Sequence, residues 1–550
     1  MSTAARYLTG HPRLTQALDQ LRGLRARPRI MALVAGALIG FAQPPFGFWP
    51  GLFGYALWLW LLDGDLGPKP KRTAFLLGWL AAFVYYLISC FWVAEAFLVD
   101  ADTYGWMAPF AVTLLPAGLG LFWGLAAVMY LWLRPTGARR FLLFATMFSL
   151  WEMFRGMALS GFPWDLSGAT WTAGGAISQT ASVVGIYGLG FITVAMSATP
   201  AVIALDKGRK GLWPILAAAG LFAVCFTGGE IRLMTTPVTN TATLVRIVQP
   251  NIGQKAKWTA GTFSELFDSY VSMSRAAPKP GGRDPDIIIW PEGALPATEE
   301  DLFAADAPTA PIMAHMLRPN QSLIMGTARR DLDHSGHEVW RNSMMVMTQH
   351  DNQTEILGFY DKFKLVPFGE FTPFAALLDP LGIKALTHFD DSFTAGERTK
   401  AVTFGSLPRM LPLICYEGIF PSLDMTQYSL FGNNTERPHW IVNISNDAWF
   451  GPTSGPLQHL NIASFRAIEE GLPMVRSTPT GVSVMVDPLG RAILRSRIEL
   501  NQRGFTDVLL PNPVAPTWYS TLRFASQLTI ALIFLASVNR DRLAQVLKKT

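Results

Sequence analysis

Asp286-Ile287-Ile288-Ile289-Trp290-Pro291-Glu292 is an apolar run closed by a proline and a carboxylate. Bulky apolar residues at consecutive positions, with no polar alternation, predict a strand covered on both faces. Such a strand belongs inside a layered α/β domain. Similar short runs recur at Thr243–Gln249, Ser322–Gly326, Ser343–Thr348, Leu411–Cys415, Trp440–Ile444 and Val482–Val486. Polar stretches punctuated by glycine and proline separate them, and Thr262–Ala277 and Gln458–Glu470 read as helices between strands. Residues 241–512 are thus expected to form one α/β domain, reached through a short linker at Arg232–Asn240.

The flanking sequence is of another kind. Over all 550 residues, 50% are hydrophobic and 15% charged, and mean hydropathy is +0.26. A soluble domain carries roughly 25% charged residues, and a disordered chain is charged and poor in aromatics. Both classes are excluded, and three cysteines exclude a disulfide scaffold. Crossing the hydrocarbon takes roughly 20 apolar residues. Candidates lie near 30–44, 46–62, 73–98, 106–133, 141–158, 183–205 and 211–228, with an eighth near 519–538. The fold class expected is therefore a polytopic helical membrane domain with seven spans before the α/β domain and one after it.

Basic residues set the orientation, because Lys and Arg are retained on the cytoplasmic side. They cluster in the leader 1–29, at Lys69-Pro70-Lys71-Arg72, at Arg134, Arg139 and Arg140, at Lys207, Arg209 and Lys210, and in the tail 539–550. The intervening turns at Pro44–Pro50 and Val99–Tyr104 have none. Both termini are expected in the cytoplasm and residues 229–518 on the far side. A pI near 9.0 is then a topology signal and no footprint of nucleic acid. Residues 1–41 also resemble a signal peptide, but six further spans follow at once, which favours an uncleaved first helix.

Cys90 and Cys225 fall inside spans, where a small apolar filler is the ordinary role. Cys415 is the lone cysteine of the α/β domain and ends the run Leu411-Pro412-Leu413-Ile414. Two other strand ends carry charge: Glu292 after Trp290-Pro291, and Lys362 in Phe359–Leu365. A thiol of pKa about 8.5 needs a base or a neighbouring cation to act as a nucleophile. A desolvated carboxylate supplies the base, and an ammonium stabilises the oxyanion formed on attack at a carbonyl. Glu292, Lys362 and Cys415 together make a coherent acyl-transfer set. His439 and His459 read as ordinary polar or core histidines. The eight histidines show no ligand spacing, so no metal or cofactor is expected.

The order Glu292, Lys362, Cys415 resembles the triad of the nitrilase superfamily, whose fold is an αββα sandwich. The words Trp290-Pro291-Glu292, Lys364-Leu365-Val366-Pro367-Phe368-Gly369-Glu370, Ile414-Cys415-Tyr416-Glu417 and Asn443–Gly451 resemble the apolipoprotein N-acyltransferases. The resemblance implies a bacterial inner-membrane enzyme, monomeric, with its catalytic domain in the periplasm. It implies that an acyl chain passes from a phospholipid to a thioester on Cys415. The chain then goes to the N-terminal amine of a diacylglyceryl-cysteine on an apolipoprotein. Glu292 is then general base, Cys415 nucleophile and Lys362 charge stabiliser. Glu370, Tyr416 and Glu417 match residues needed around the triad, and Trp258 and Trp449 match cleft tryptophans. Lys364 stands where histidine is common in the family.

Two other classes compete: a membrane-tethered amidase using water as acceptor, and a non-catalytic lipid-binding or transport protein. Eight spans argue against the first, and the complete triad against the second. Glu152 and Arg155, three apart on a predicted helix, are placed to pair, and Phe46–Trp60 reads as lipid-facing or packing aromatics. Phe371–Phe393, rich in Phe and Leu, is expected to form a mobile arm over the cleft that dips into the outer leaflet.

Overall fold

The computed structural model describes every residue except 1–26, 206–211, 260, 279–280, 334, 351–352, 379–391, 422–435, 524 and 538–550. Its first part is helical: α1 (Pro28–Ala42), α2 (Gly54–Leu62), α3 (Pro70–Ser89), α4 (Ala108–Leu133), α5 (Arg140–Arg155), α6 (Ala181–Ala198) and α7 (Trp213–Thr235). Small residues let these helices meet backbone to backbone, as in lipid-embedded bundles. A Cβ on Gly36 of α1 would lie 1.9 Å from the Ala81 carbonyl of α3, and one on Gly78 of α3 would lie 2.6 Å from the Trp123 carbonyl of α4.

Four stretches are long and apolar enough to cross a membrane: Pro70–Ser89, Ala101–Leu133, Ile177–Val202 and Trp213–Thr235. Pro28–Ala42 and Trp49–Leu62 are apolar but shorter. The other expected spans are also short: Arg140–Arg155 has 16 residues, and the last helix, α10 (Ala525–Ser537), has 13. Hydropathy alone also runs elements together. The stretch 73–98 breaks after Ser89, because Trp92 leaves the helix to donate its indole N–H to Gln458 Oε1 at 3.0 Å, and Val93–Leu98 starts afresh. The leader up to residue 26, the tail from 538 and the arm residues 379–391 lie outside the described residues.

The α/β part holds two mixed sheets. The first has the order β10 (Gly504–Pro511), β1 (Asn240–Gln249), β2 (Ile287–Ile289), β3 (Ser322–Leu332), β4 (Glu338–His350), β5 (Gln353–Asp361). The second runs β6 (Met410–Ile414), β7 (Trp440–Ile444), β8 (Met474–Ser477), β9 (Val484–Val486). The pleat sends alternate residues to opposite faces. Ile287 and Ile289 accordingly join Trp440, Val442 and Ile444 of the other sheet, while Ile288 and Trp290 pack on Leu266, Phe267 and Tyr270 of α8 (Thr262–Arg275). The outer layer of the second sheet is α9 (Gly455–Glu470), every residue of which is buried. The order is therefore helix, sheet, sheet, helix.

Burial of α9 on all sides follows from its second partner, the membrane domain. Ile462, Phe465 and Ile468 belong to one continuous apolar cluster with residues of α1 to α7. Polar side chains of α9 satisfy the backbone of the segment between α5 and α6. Asn461 Oδ1 accepts from Ala173 N at 2.8 Å, and its Nδ2 donates to the Ala169 carbonyl at 2.9 Å. Glu469 Oε1 accepts from Ile186 N at 2.7 Å. Asn461→Leu would strand a buried donor and a buried acceptor, each costing about 1–3 kcal/mol. The detergent-solubilised variant should unfold at a clearly lower temperature than wild type in a thermal-shift assay; an unchanged midpoint would contradict this joint.

Candidate active site

Three strand ends converge between the sheets. Glu292 follows β2, Lys362 follows β5, and Cys415 follows β6 and opens a 3-10 turn that runs to Ile419. Lys362 is 1% exposed, and its Nζ lies 3.0 Å from Glu292 Oε1 and 2.9 Å from Glu370 Oε1. The backbone of Lys362 is fixed on both sides, its N–H donating to the Asn342 carbonyl and its carbonyl accepting from Gly396 N, each at 2.8 Å. Burial alone would lower its pKa; Glu292 and Glu370 overcome that and hold it above the usual lysine value.

Asn342, which sequence reading passed over, completes this cluster. Its Nδ2 donates to Glu292 Oε1 at 2.8 Å and to Glu370 Oε1 at 2.6 Å. One oxygen of each glutamate thus shares Lys362 and Asn342. Glu370 Oε2 accepts from Val366 N at 2.8 Å, while Glu292 Oε2 makes no hydrogen bond among the described residues. The available signal was a polar residue entering an otherwise apolar strand, Asn342-Ser343-Met344-Met345-Val346.

Cys415 has φ +48°, a left-handed conformation that costs a non-glycine residue energy and collects at functional turns. Burial first, and then the charge of Glu292, push its thiol up to about 12 against the opposing effect of Lys362. Glu417 clamps this turn to the Lys362 loop. Its Oε2 accepts from Ile414 N at 2.7 Å, and its Oε1 accepts from Tyr360 Oη and Phe363 N at 2.8 Å and from Lys364 N at 3.2 Å. His459 adds a rear support, with one ring nitrogen 3.0 Å from Asp447 Oδ1 and the other 3.2 Å from the Cys415 carbonyl. Asp447 is gripped by Arg476 through both oxygens at 2.8 Å. Burial opposes that charge, but Arg476 and His459 hold the carboxyl well below the usual range. His459 reads from sequence as an ordinary core histidine; it is buried, and it also touches the backbone of Cys415.

The remaining expected residues surround this centre. Tyr416 turns toward the membrane domain, donating its hydroxyl to the Gly161 carbonyl at 2.6 Å. Trp258 is half-buried, with the ammonium of Lys257 5.7 Å from its ring centre. Lys257, unremarked in the sequence, donates to the Gly293 carbonyl; burial brings it down to about 8, with Glu292 opposing. Trp449 is half-buried in the 3-10 turn Asp447–Phe450. His439 stays at the start of β7, its N–H donating to the Arg409 carbonyl at 2.7 Å. In the membrane domain, Glu152 and Arg155 pair at 3.9 Å, both buried.

Two buried carboxylates around one ammonium, with a cysteine on a strained turn between two α-covered sheets, define a domain of the carbon-nitrogen hydrolase class, here joined to membrane helices. Residues 244–503 match the family Carbon-nitrogen hydrolase, and residues 35–199 match the family Apolipoprotein N-acyltransferase N-terminal domain. An apolipoprotein N-acyltransferase of Caulobacter vibrioides is 42% identical over 92% of this chain and 93% of its own length. One from Rhodopseudomonas palustris is 38% identical over 93% and 95%. A solved CN-hydrolase superfamily protein from Xanthomonas campestris covers 53% of this chain and 96% of that chain, at 16% identity and TM-score 0.33. The chain belongs to the apolipoprotein N-acyltransferase family.

A thiol raised to about 12 is protonated throughout the neutral range. Iodoacetamide labelling of Cys415, read as mass on its own peptide, should therefore keep accelerating with pH, with no plateau below about pH 11. A plateau near neutrality would show instead that Lys362 outweighs burial and Glu292.

Proposed function

We propose that the chain transfers an acyl group from a membrane phospholipid to the N-terminal amine of diacylglyceryl-cysteine on an apolipoprotein, through a thioester on Cys415. The donor, the acceptor and the bilayer are its partners, and a single copy holds the whole site. The catalytic domain faces the periplasm, with both termini in the cytoplasm of a bacterial cell. The observation that carries this reading is the Glu292–Lys362 contact beside Cys415, in a chain 42% identical to a named N-acyltransferase over 92% of its length.

The first half-reaction begins with Glu292. Its free Oε2 takes the thiol proton while sulfur attacks the ester carbonyl carbon. With the thiol at about 12, proton transfer and attack must run together, because roughly one molecule in 10⁵ holds a thiolate at pH 7. The oxyanion forms beside the Lys362 ammonium, which is held in place and needs no reorganisation. Collapse breaks the ester C–O bond, and the lysophospholipid alkoxide recovers the proton from Glu292. The second half-reaction repeats the geometry with the amine. Its reference pKa is about 7.7–8.0, so a useful fraction is neutral. The amine nitrogen attacks the thioester carbon, Glu292 takes a proton from it, and the leaving thiolate of Cys415 takes that proton back. Asn342 and Glu370 hold Lys362 and Glu292 in register, and Glu417 holds the turn.

Intact-mass spectrometry tests the covalent step. Wild-type enzyme mixed with phospholipid should gain one acyl mass on Cys415, and lose it when a diacylated lipopeptide is added. Cys415→Ala should gain no mass and make no triacylated product. Cys415→Ser should give at most a slowly formed, hydroxylamine-resistant ester. Lys362→Ala should slow acylation by about 10²–10³-fold. Product formation by the Cys415→Ala enzyme would sink the thioester, and release of free fatty acid in place of lipopeptide acylation would favour the amidase.

A further inference from the structure

Lys364 is the residue of the Lys362–Glu370 segment to which neither the triad nor its supports assign a role. Its side chain is half-buried at the seam between the two domains. The ammonium lies 5.2 Å from the ring centre of Phe420 and 5.7 Å from that of Phe363, and its one hydrogen bond among the described residues is long, 3.5 Å to the Ser160 carbonyl. Arg398 stands beside it. Glu417 Oε1 receives both Lys364 N at 3.2 Å and Thr399 Oγ1 at 3.4 Å, so the residues bearing the two cations flank one buried carboxylate oxygen. That oxygen is committed to backbone and hydroxyl donors. Among the described residues neither cation has an acidic partner, and the adjacent Glu397 is taken by Lys400 at 3.3 Å.

Two like charges at a half-buried seam repel each other unless an anion lies between them. Burial and then Arg398 lower the Lys364 pKa, as that repulsion requires. The surroundings limit which anion. Leu159, next to Ser160, is 87% exposed, Met157 is 65% exposed, and Phe154 and Phe368 are also exposed. An anion held here has apolar surface on the membrane-domain side and Lys362 two residues away on the other.

We infer that Lys364 and Arg398 bind the phosphodiester of the acyl-donor phospholipid. This rests on the donor proposed above and adds what recognises it. The acyl chains lie along the Leu159 and Met157 side, the phosphate is held by the two cations, and the ester between them is presented to Cys415. Arginine offers a phosphate a fork of N–H donors, and lysine a point charge. A neutral diacylglycerol has the same chains and ester but no group for this site.

Two measurements test it. In mixed micelles, Cys415 of the wild type should be acylated faster by a phosphoglyceride than by diacylglycerol with identical chains. Lys364→Gln and Arg398→Gln should each reduce that ratio about tenfold, the worth of one charge-assisted hydrogen bond. Lys364→Arg should restore it. In the Cys415→Ala background, native mass spectrometry should show phosphoglyceride retained, and lost on adding Lys364→Gln with Arg398→Gln. Inorganic phosphate at millimolar concentration should not displace the lipid; if it does, the site is one for free phosphate and the inference fails. Unchanged ratios together with unchanged retention would also overturn it. Retention that depends on both cations, with no acylation by any lipid, would keep the site and remove the thioester reading instead.

Discussion

The ammonium of Lys362 is the contact on which the catalytic domain turns. It is out of reach of water and shared between two carboxylates that would otherwise repel each other across a buried space. Removing one member of such a cluster leaves an uncompensated charge in the interior, at a cost of about 3–5 kcal/mol. Strand β2, strand β5 and the Val366–Glu370 loop are therefore bound to one another by electrostatics as much as by apolar packing. Asn342 contributes donors without adding charge, and Lys257 brings a second cation close to Glu292. The centre is rigid before any substrate arrives, which is what stabilisation of a transient oxyanion requires.

Rigidity extends into the membrane domain through α9. A helix buried along its whole length has no solvent face, so its polar residues must find partners on both sides. Asn461 and Glu469 serve the segment leading into α6, while His459 serves the Cys415 turn. Gln458 accepts the indole N–H groups of Trp92 and Trp164 together. The nucleophile is thus referenced to the helices within one helix thickness.

Much of this could be read in the chain. Ile287-Ile288-Ile289 carries its two-sided burial openly, since apolar residues at every position leave no face for water. Glu292, Lys362 and Cys415 each sit one residue past a strand or close to it, where hydropathy ends abruptly. Other features were hidden for physical reasons. Asn342 acts across strands, and a pattern along one strand says nothing of what faces it through space. The role of Glu417 depends on loops 50 residues away folding over it. Span borders blurred because hydropathy sums apolar character and does not sense where a tryptophan leaves its helix for an amide on α9. Glu152 and Arg155 were visible because helical spacing places them on one face.

The joint through α9 also sets a timetable. Ile186 and the carboxylate that caps its amide, on Glu469, are separated by 283 residues. A ribosome makes the helices up to Thr235 first, so they enter the bilayer with the seat for α9 open and its backbone amides unpaired. Domains fold as they emerge, yet here the earlier one cannot finish until most of the later one has been made. Assembly of this protein is therefore a returning motion, in which the last third of the chain folds back to close the first.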